Sequence, residues 1–255
     1  MQPPNTSPAS AQSAQQFVAG VRERVGKIVV GQDVVVERVM IALLTGGHLL
    51  LQGLPGLAKT LLVNAVAKAI NLDFKRVQFT VDMLPSDIIG SEIIDQKTGD
   101  FRIHRGPVFT NLLLADEINR AAPKVQGAML EAMQERKVTI GGQNLKLPTP
   151  FLVIATQNPV EQSGTFELPE AQLDRFMLEL RVSYPTRSEE EAIVEQTTGA
   201  VRARLEPVLD AESVLQMQAL VRRIPVSGGR SGSGGATSSS GNALPTMNTT
   251  STSRL

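Results

Sequence analysis

The chain contains no cysteine. That excludes a disulfide framework and any thiolate metal site. It has two histidines, His48 and His104, neither with a partner at ligand spacing, so packing or solvation accounts for them better than metal binding. Net charge is zero, 25 basic residues balancing 25 acidic ones, and no electrostatic footprint favours nucleic acid or an anionic membrane. No apolar run is long enough to span a membrane. Met1 to Ser13 lack both a basic n-region and an apolar h-region, so no signal peptide is read and a cytoplasmic location is expected. What is present is 255 residues, 42% hydrophobic, enough for one large domain or two modest ones.

The most informative stretch is Gly53-Leu54-Pro55-Gly56-Leu57-Ala58-Lys59-Thr60. An apolar run, His48 to Gln52, precedes it and reads as a buried strand. Leu61 to Ile70 follows, with apolar and Ala positions that suit a helix packed on a sheet. Strand, Gly-rich turn, then Lys-Thr opening a helix is the context a phosphate-binding loop requires. Backbone N–H groups of the turn and helix start converge on phosphate oxygens. Lys59 is placed to reach the β- and γ-phosphates, and Thr60 to offer its hydroxyl to Mg²⁺. Ala58 stands where the general pattern has glycine, so a negative φ is expected there to accommodate the methyl group.

In chain order, residues 1–12 are rich in Pro, Ser, Gln and Asn and are expected to be disordered. Helical periodicity runs from Ala14 through Phe17, Val21 and Val25. Asp33 is placed to N-cap a helix carrying Val36, Val39, Met40, Leu43 and Leu44 on one side, ended by Gly46-Gly47. Beyond the loop, strands are read at Phe74 to Thr80, Leu112 to Ala115, Phe151 to Thr156 and Met177 to Val182. Hairpins are read around Lys97–Asp100 and around Gly141-Gly142. Helices are read at Pro123 to Arg136 and Pro169 to Asp174. Strands alternating with helices argue for a parallel α/β sheet over residues 13–184. From Pro185 the pattern is helical with no strand, and 185–226 reads as the beginning of a helical second domain. Residues 227–255 are Gly, Ser, Thr and Asn with almost nothing apolar, which reads as linker or appendage.

Leu112 to Ala115 ends in Asp116-Glu117. Two acids at the carboxyl end of a buried strand suit a metal on the first and a polarised water on the second; the same pair could cap the following helix. Asn158, ending the next strand, would lie between those acids and the γ-phosphate, or initiate an Asn-Pro turn. Arg175 is either an arginine finger for a neighbouring subunit's nucleotide or a weak surface partner of Asp174 or Glu179. Arg120 is a second candidate, and spacing does not choose between them.

Four segments in order, GLPGLAKT, LLLADEINRA, IATQNP and LPEAQLDRF, resemble the MoxR family of AAA+ ATPases, and the likeness extends over about residues 14–225. MoxR-like loops also carry Ala before the Lys. The resemblance implies a P-loop NTPase fold of AAA+ type: a five-stranded parallel sheet of order 5-1-4-3-2 with flanking helices, then a helical lid. It implies that Val30, Gly31 and Gln32 border the adenine and that Gly53, Leu54, Pro55, Gly56, Leu57, Ala58, Lys59, Thr60 and Leu61 hold the rest of ATP. It assigns Mg²⁺ to Thr60 and Asp116, the catalytic base to Glu117, the sensor to Asn158 and the trans finger to Arg175. The two hairpins resemble inserts that point toward a pore or partner. The family is hexameric and chaperone-like, maturing complexes or inserting metal cofactors together with von Willebrand factor A partners.

The sequence departs from the family after Arg223. The lid pattern stops and no sensor-2 arginine is in helical context, so the lid reads as truncated. Two rival readings follow: a nucleotide-binding module with little turnover, and a motor of the magnesium chelatase and helicase-like clade. Zero net charge speaks against DNA as the track.

Overall fold

The computed structural model describes residues 8–53, 58–158, 164–182, 184–198, 207, 210–223 and 246–248. Strands β1 (Leu49–Gln52), β2 (Phe74–Gln78), β5 (Leu112–Asp116), β8 (Leu152–Gln157) and β9 (Leu178–Arg181) form one sheet in the order β9-β1-β8-β5-β2. Every neighbouring pair is parallel. Counted along the chain, that is 5-1-4-3-2.

The central strands β1, β5 and β8 are apolar almost to their ends because both of their faces are covered. Side chains alternate between two cores, as the two-residue period requires. Leu49, Leu51, Leu112, Leu114, Leu152 and Ile154 face one side. There they meet helices α1 (Pro8–Gly26), α2 (Asp33–Thr45) and α3 (Lys59–Ala69). Leu50, Leu113, Ala115, Val153 and Ala155 face the other. They pack against the short helix α4 (Pro85–Ile89) and against α5 (Pro123–Glu135), whose Val125, Met129 and Met133 are buried in this core. Helix α2 stops where expected. Gly46 takes φ 74°, and its N–H and that of Gly47 return to Leu43 and Ala42, a closure that a left-handed residue permits.

Both hairpins are present. Strand β3 (Gly90–Ile94) pairs antiparallel with β4 (Phe101–Arg105), and β6 (Lys137–Ile140) with β7 (Gln143–Lys146). The second turns on Gly141-Gly142, both at positive φ, the requirement of a two-residue hairpin loop. The short helix α6 (Glu170–Leu173) precedes β9. Helices α7 (Arg187–Thr198) and α8 (Ala211–Val221) follow it with no described strand between. Helix α8 lies on α2: Val214 is fully buried there, and buried Gln218 donates from Nε2 to Leu43 O at 2.6 Å.

Three details differ from expectation. Helix α1 begins at Pro8, within the stretch expected to be disordered; proline is favourable in a first helical turn, and Ala, Ser and Gln continue it. Gln32, not Asp33, takes the N-cap position of α2, without a side-chain cap. Asp33 is the first helical residue, 3.7 Å from Arg22, where its charge still favours the helix start. Finally, strand β10 (Thr246–Asn248) lies inside the segment read as a low-complexity tail and pairs parallel with β9. The free backbone groups of an edge strand accept such pairing without demanding apolar side chains.

Candidate functional site

Because the five main strands are parallel, their carboxyl ends share one edge, and the chemistry-bearing residues gather there. Gly53, just past β1, donates its N–H to Gln157 O at the end of β8, at 3.2 Å. Lys59 opens α3 and is half-buried; its Nζ donates back to Gly53 O at 2.8 Å. Burial lowers the Lys59 pKa, while the nearby charges of Asp116 and Glu117 oppose the shift. A bound polyphosphate at this position would offset the cost of burying the ammonium. Thr60 follows in the first turn and Leu61 is exposed. Leu54, Pro55, Gly56 and Leu57 lie outside the described residues.

The expectation for Ala58 is overturned. Its φ is 52° and ψ 21°, left-handed, as the N-cap of α3. The methyl group is held in a glycine-like conformation at a cost.

Asp116 ends β5, its side chain 13% exposed. Its Oδ1 accepts from Thr156 Oγ1 at 2.6 Å. Its Oδ2 accepts from Arg76 Nε at 3.1 Å and Nη2 at 2.6 Å. Glu117 follows with φ 56° and ψ 50°. A left-handed non-glycine residue costs of order 1–3 kcal/mol, and such strain clusters at active sites. The surroundings explain how it is held. Glu117 N–H donates to Thr156 Oγ1 at 2.8 Å, so one buried hydroxyl joins both acids. Glu117 Oε2 accepts from Gln78 Nε2 at 2.8 Å and Arg120 Nη1 at 3.0 Å. The pair therefore does not cap a helix through its side chains; β2 and β8 hold the Asp116 carboxylate, and β2 and Arg120 hold that of Glu117.

Asn158 is buried two residues beyond Thr156, at the same edge. Arg120 is turned to the Glu117 of its own chain. Arg175 is exposed, its Nη1 donating to Ala171 O one turn back. Among the described residues it forms no ion pair with Asp174 or Glu179. Val30, Gly31 and Gln32 connect α1 to α2. Gly31 has φ 73°, and a Cβ built on it would lie 2.5 Å from Glu189 Oε1, so the start of α7 closes directly over this segment.

Sequence reasoning missed Thr156, Arg76 and Gln78. A threonine next to the end of a buried strand carries no motif, and Arg76 and Gln78 read as ordinary outward-facing strand residues. Only the pairing of β2 with β5, which sets Gln78 opposite Asp116, brings them to the acids.

Asp116 and Glu117 bring two carboxylates, hard oxygen donors, to this edge. Among the described residues no group of three or more His, Asp or Glu forms a closed cage. Paired carboxylates are the donors that Mg²⁺ takes together with waters and substrate phosphates.

Strand order, a Lys-Thr helix start after the first strand and an acid pair after the third define the P-loop ATPase class. The family model described as "ATPase family associated with various cellular activities (AAA)" matches residues 48–178. The chain is 49% identical over 194 residues to Chaperone MoxR1 of Mycobacterium tuberculosis, covering 76% of this chain and 51% of that protein. It is 46% identical over 203 residues to YeaC of Bacillus subtilis, covering 79% and 63%. A crystal structure of a candidate ATPase from Cytophaga hutchinsonii superposes with TM-score 0.76 at 46% identity, covering 83% of this chain and 64% of that one. The chain belongs to the MoxR family of AAA+ ATPases, and it spans about half to two thirds of the length of these relatives.

Proposed function

We propose that this chain binds ATP with Mg²⁺ at the carboxyl edge of its sheet, hydrolyses it within a ring of like subunits, and uses the cycle to remodel or mature a protein partner. The observation that carries the reading is the meeting of Lys59, Asp116, Glu117 and Asn158 at one edge, with Thr156 bonded to both acids.

The roles follow from position. Lys59, half-buried at the head of α3 near Asp116 and Glu117, neutralises the β- and γ-phosphates. Glu117 orients the attacking water and accepts its proton; Asn158 hydrogen-bonds the water and the γ-phosphate. Thr60 and Asp116 are the residues that would hold Mg²⁺, which supplies charge neutralisation on the phosphate oxygens. Val30, Gly31 and Gln32 border the base. Arg175 is the trans finger, an assignment supported by its exposure while Arg120 is engaged within its own site. Homo-hexameric assembly, a von Willebrand factor A partner, a chaperone-like role and a cytoplasmic location complete the proposal; among the described residues no helix is long and apolar enough to cross a membrane.

The test is phosphate release at increasing protein concentration. Activity per subunit should rise with concentration as rings form, and fall by about 10² or more in Lys59→Ala and Glu117→Gln. Mixing Arg175→Ala with Glu117→Gln should partly restore turnover, since intact half-sites pair. Undiminished hydrolysis in Lys59→Ala and Glu117→Gln would refute the site; absence of rescue would remove Arg175 from its trans role.

A further inference from the structure

Arg76 is the residue of the acid edge to which the proposed reaction gives no task. It sits on β2, the last strand of the sheet, and its side chain is 43% exposed while that of its partner Asp116 is 13% exposed. Both of its bonds to Asp116 go to the same oxygen, Oδ2, from Nε at 3.1 Å and Nη2 at 2.6 Å. Thr156 holds the other oxygen. A carboxylate oxygen with two charge-assisted donors has little lone-pair capacity left.

We propose that Arg76 is a built-in counter-cation of the metal site, occupying the Asp116 oxygen in the absence of a divalent ion and leaving it when the ion arrives with a triphosphate. The inference rests on Asp116 being the metal-side acid. The guanidinium offsets the charge of a carboxylate that would otherwise face an incoming polyphosphate unneutralised. With the ion in place, two cations compete for one oxygen and Arg76 yields, because β2 is an edge strand and its long side chain can turn into solvent. The displacement reaches the proposed base as well. Arg76 Nη2 also donates to Gln78 Oε1, and Gln78 Nε2 donates to Glu117 Oε2. Arg76 and Gln78 lie on one face of β2, two residues apart, so one guanidinium fixes both Asp116 and the amide that holds Glu117. Its departure frees that amide to rotate and so loosens one of the two donors on Glu117. Arg76 is a positioning residue in this scheme.

The experiment is equilibrium binding of a fluorescent β,γ-imido ATP analogue to the full chain, with EDTA and then with Mg²⁺ titrated in, for the wild type, Arg76→Met and Arg76→Lys. In Arg76→Met the Mg²⁺ concentration at half-effect should fall about tenfold, the worth of one competing charge-assisted pair on a largely buried carboxylate. Its affinity for the analogue in EDTA should fall about threefold or more, since a compensating cation is lost. Arg76→Lys, which keeps the charge but not the fork, should move the Mg²⁺ midpoint the same way by a smaller factor. The two shifts have opposite signs, whereas a damaged fold weakens both. An Mg²⁺ midpoint unchanged or raised in Arg76→Met overturns the proposal; if that variant does not fold, the same result in Arg76→Lys does so. Failure of the wild type to bind the analogue at all sinks instead the ATPase reading on which this rests.

Discussion

Acidification should destabilise this protein through one residue, His48. The imidazole is 5% exposed and lies at the start of β1. Its Nδ1 accepts from Val153 N–H at 3.0 Å, which leaves the proton on Nε2 to donate to Met133 O at 3.2 Å. Phe151 meets the ring edge-on at 5.8 Å. Protonating Nδ1 would set two donors against each other and bury a charge. Burial accordingly pushes the pKa from 6.5 down to about 4, with the Arg136 charge acting in the same direction and the Met133 bond opposing it. The unfolded chain then binds the extra proton first. Stability from this group is fully present above pH 6.5 and is lost as pH falls toward 4. With those two values the loss by pH 5 is ~2 kcal/mol, rising to ~3 kcal/mol below pH 4. In a chain of this size ~2 kcal/mol lowers Tm by about 4–8 °C. The chain has only two histidines and no cysteine, so little else titrates between pH 5 and 7. The assay is thermal or urea unfolding of the wild type and His48→Gln from pH 8 to pH 5. Glutamine keeps a donor and an acceptor but does not titrate, so the variant starts lower and its curve should be nearly flat. An equal pH slope in both proteins, or the His48 imidazole itself titrating near 6.5 by NMR, would refute the reasoning.

Two further substitutions probe the loop and the acids. Ala58→Gly removes a methyl group from a left-handed residue; after glycine's extra chain entropy is counted, a gain of about 0.5–1 kcal/mol is expected, and a lowered Tm would contradict the backbone geometry. Thr156→Val deletes the hydroxyl that joins Asp116 Oδ1 to Glu117 N–H; about 1–3 kcal/mol of stability should go, with kcat falling far more than KM rises, and Thr156→Ser should restore both. A Thr156→Val enzyme with unchanged kcat would show that the strained Glu117 turn does not need this anchor.

The amino-acid sequence by itself determined the class of fold. Apolar strands with no polar face can only be interior strands of a covered sheet, and a Lys-Thr pair at a helix start after the first of them has few other uses. Asp116, Glu117 and Asn158 were legible for the same reason: each ends a buried strand, and parallel strands bring their ends together. What only the tertiary structure decided is how those groups are held. Thr156 reaches both acids because β8 lies beside β5, and Arg76 and Gln78 reach them because β2 lies on the other side. These contacts join residues about forty positions apart, and neither composition nor periodicity encodes lateral strand order. The positive φ of Ala58 and Glu117 belongs to the same category. Local propensity argues against both, and at Glu117 the bonds to Thr156, Gln78 and Arg120 overrule it.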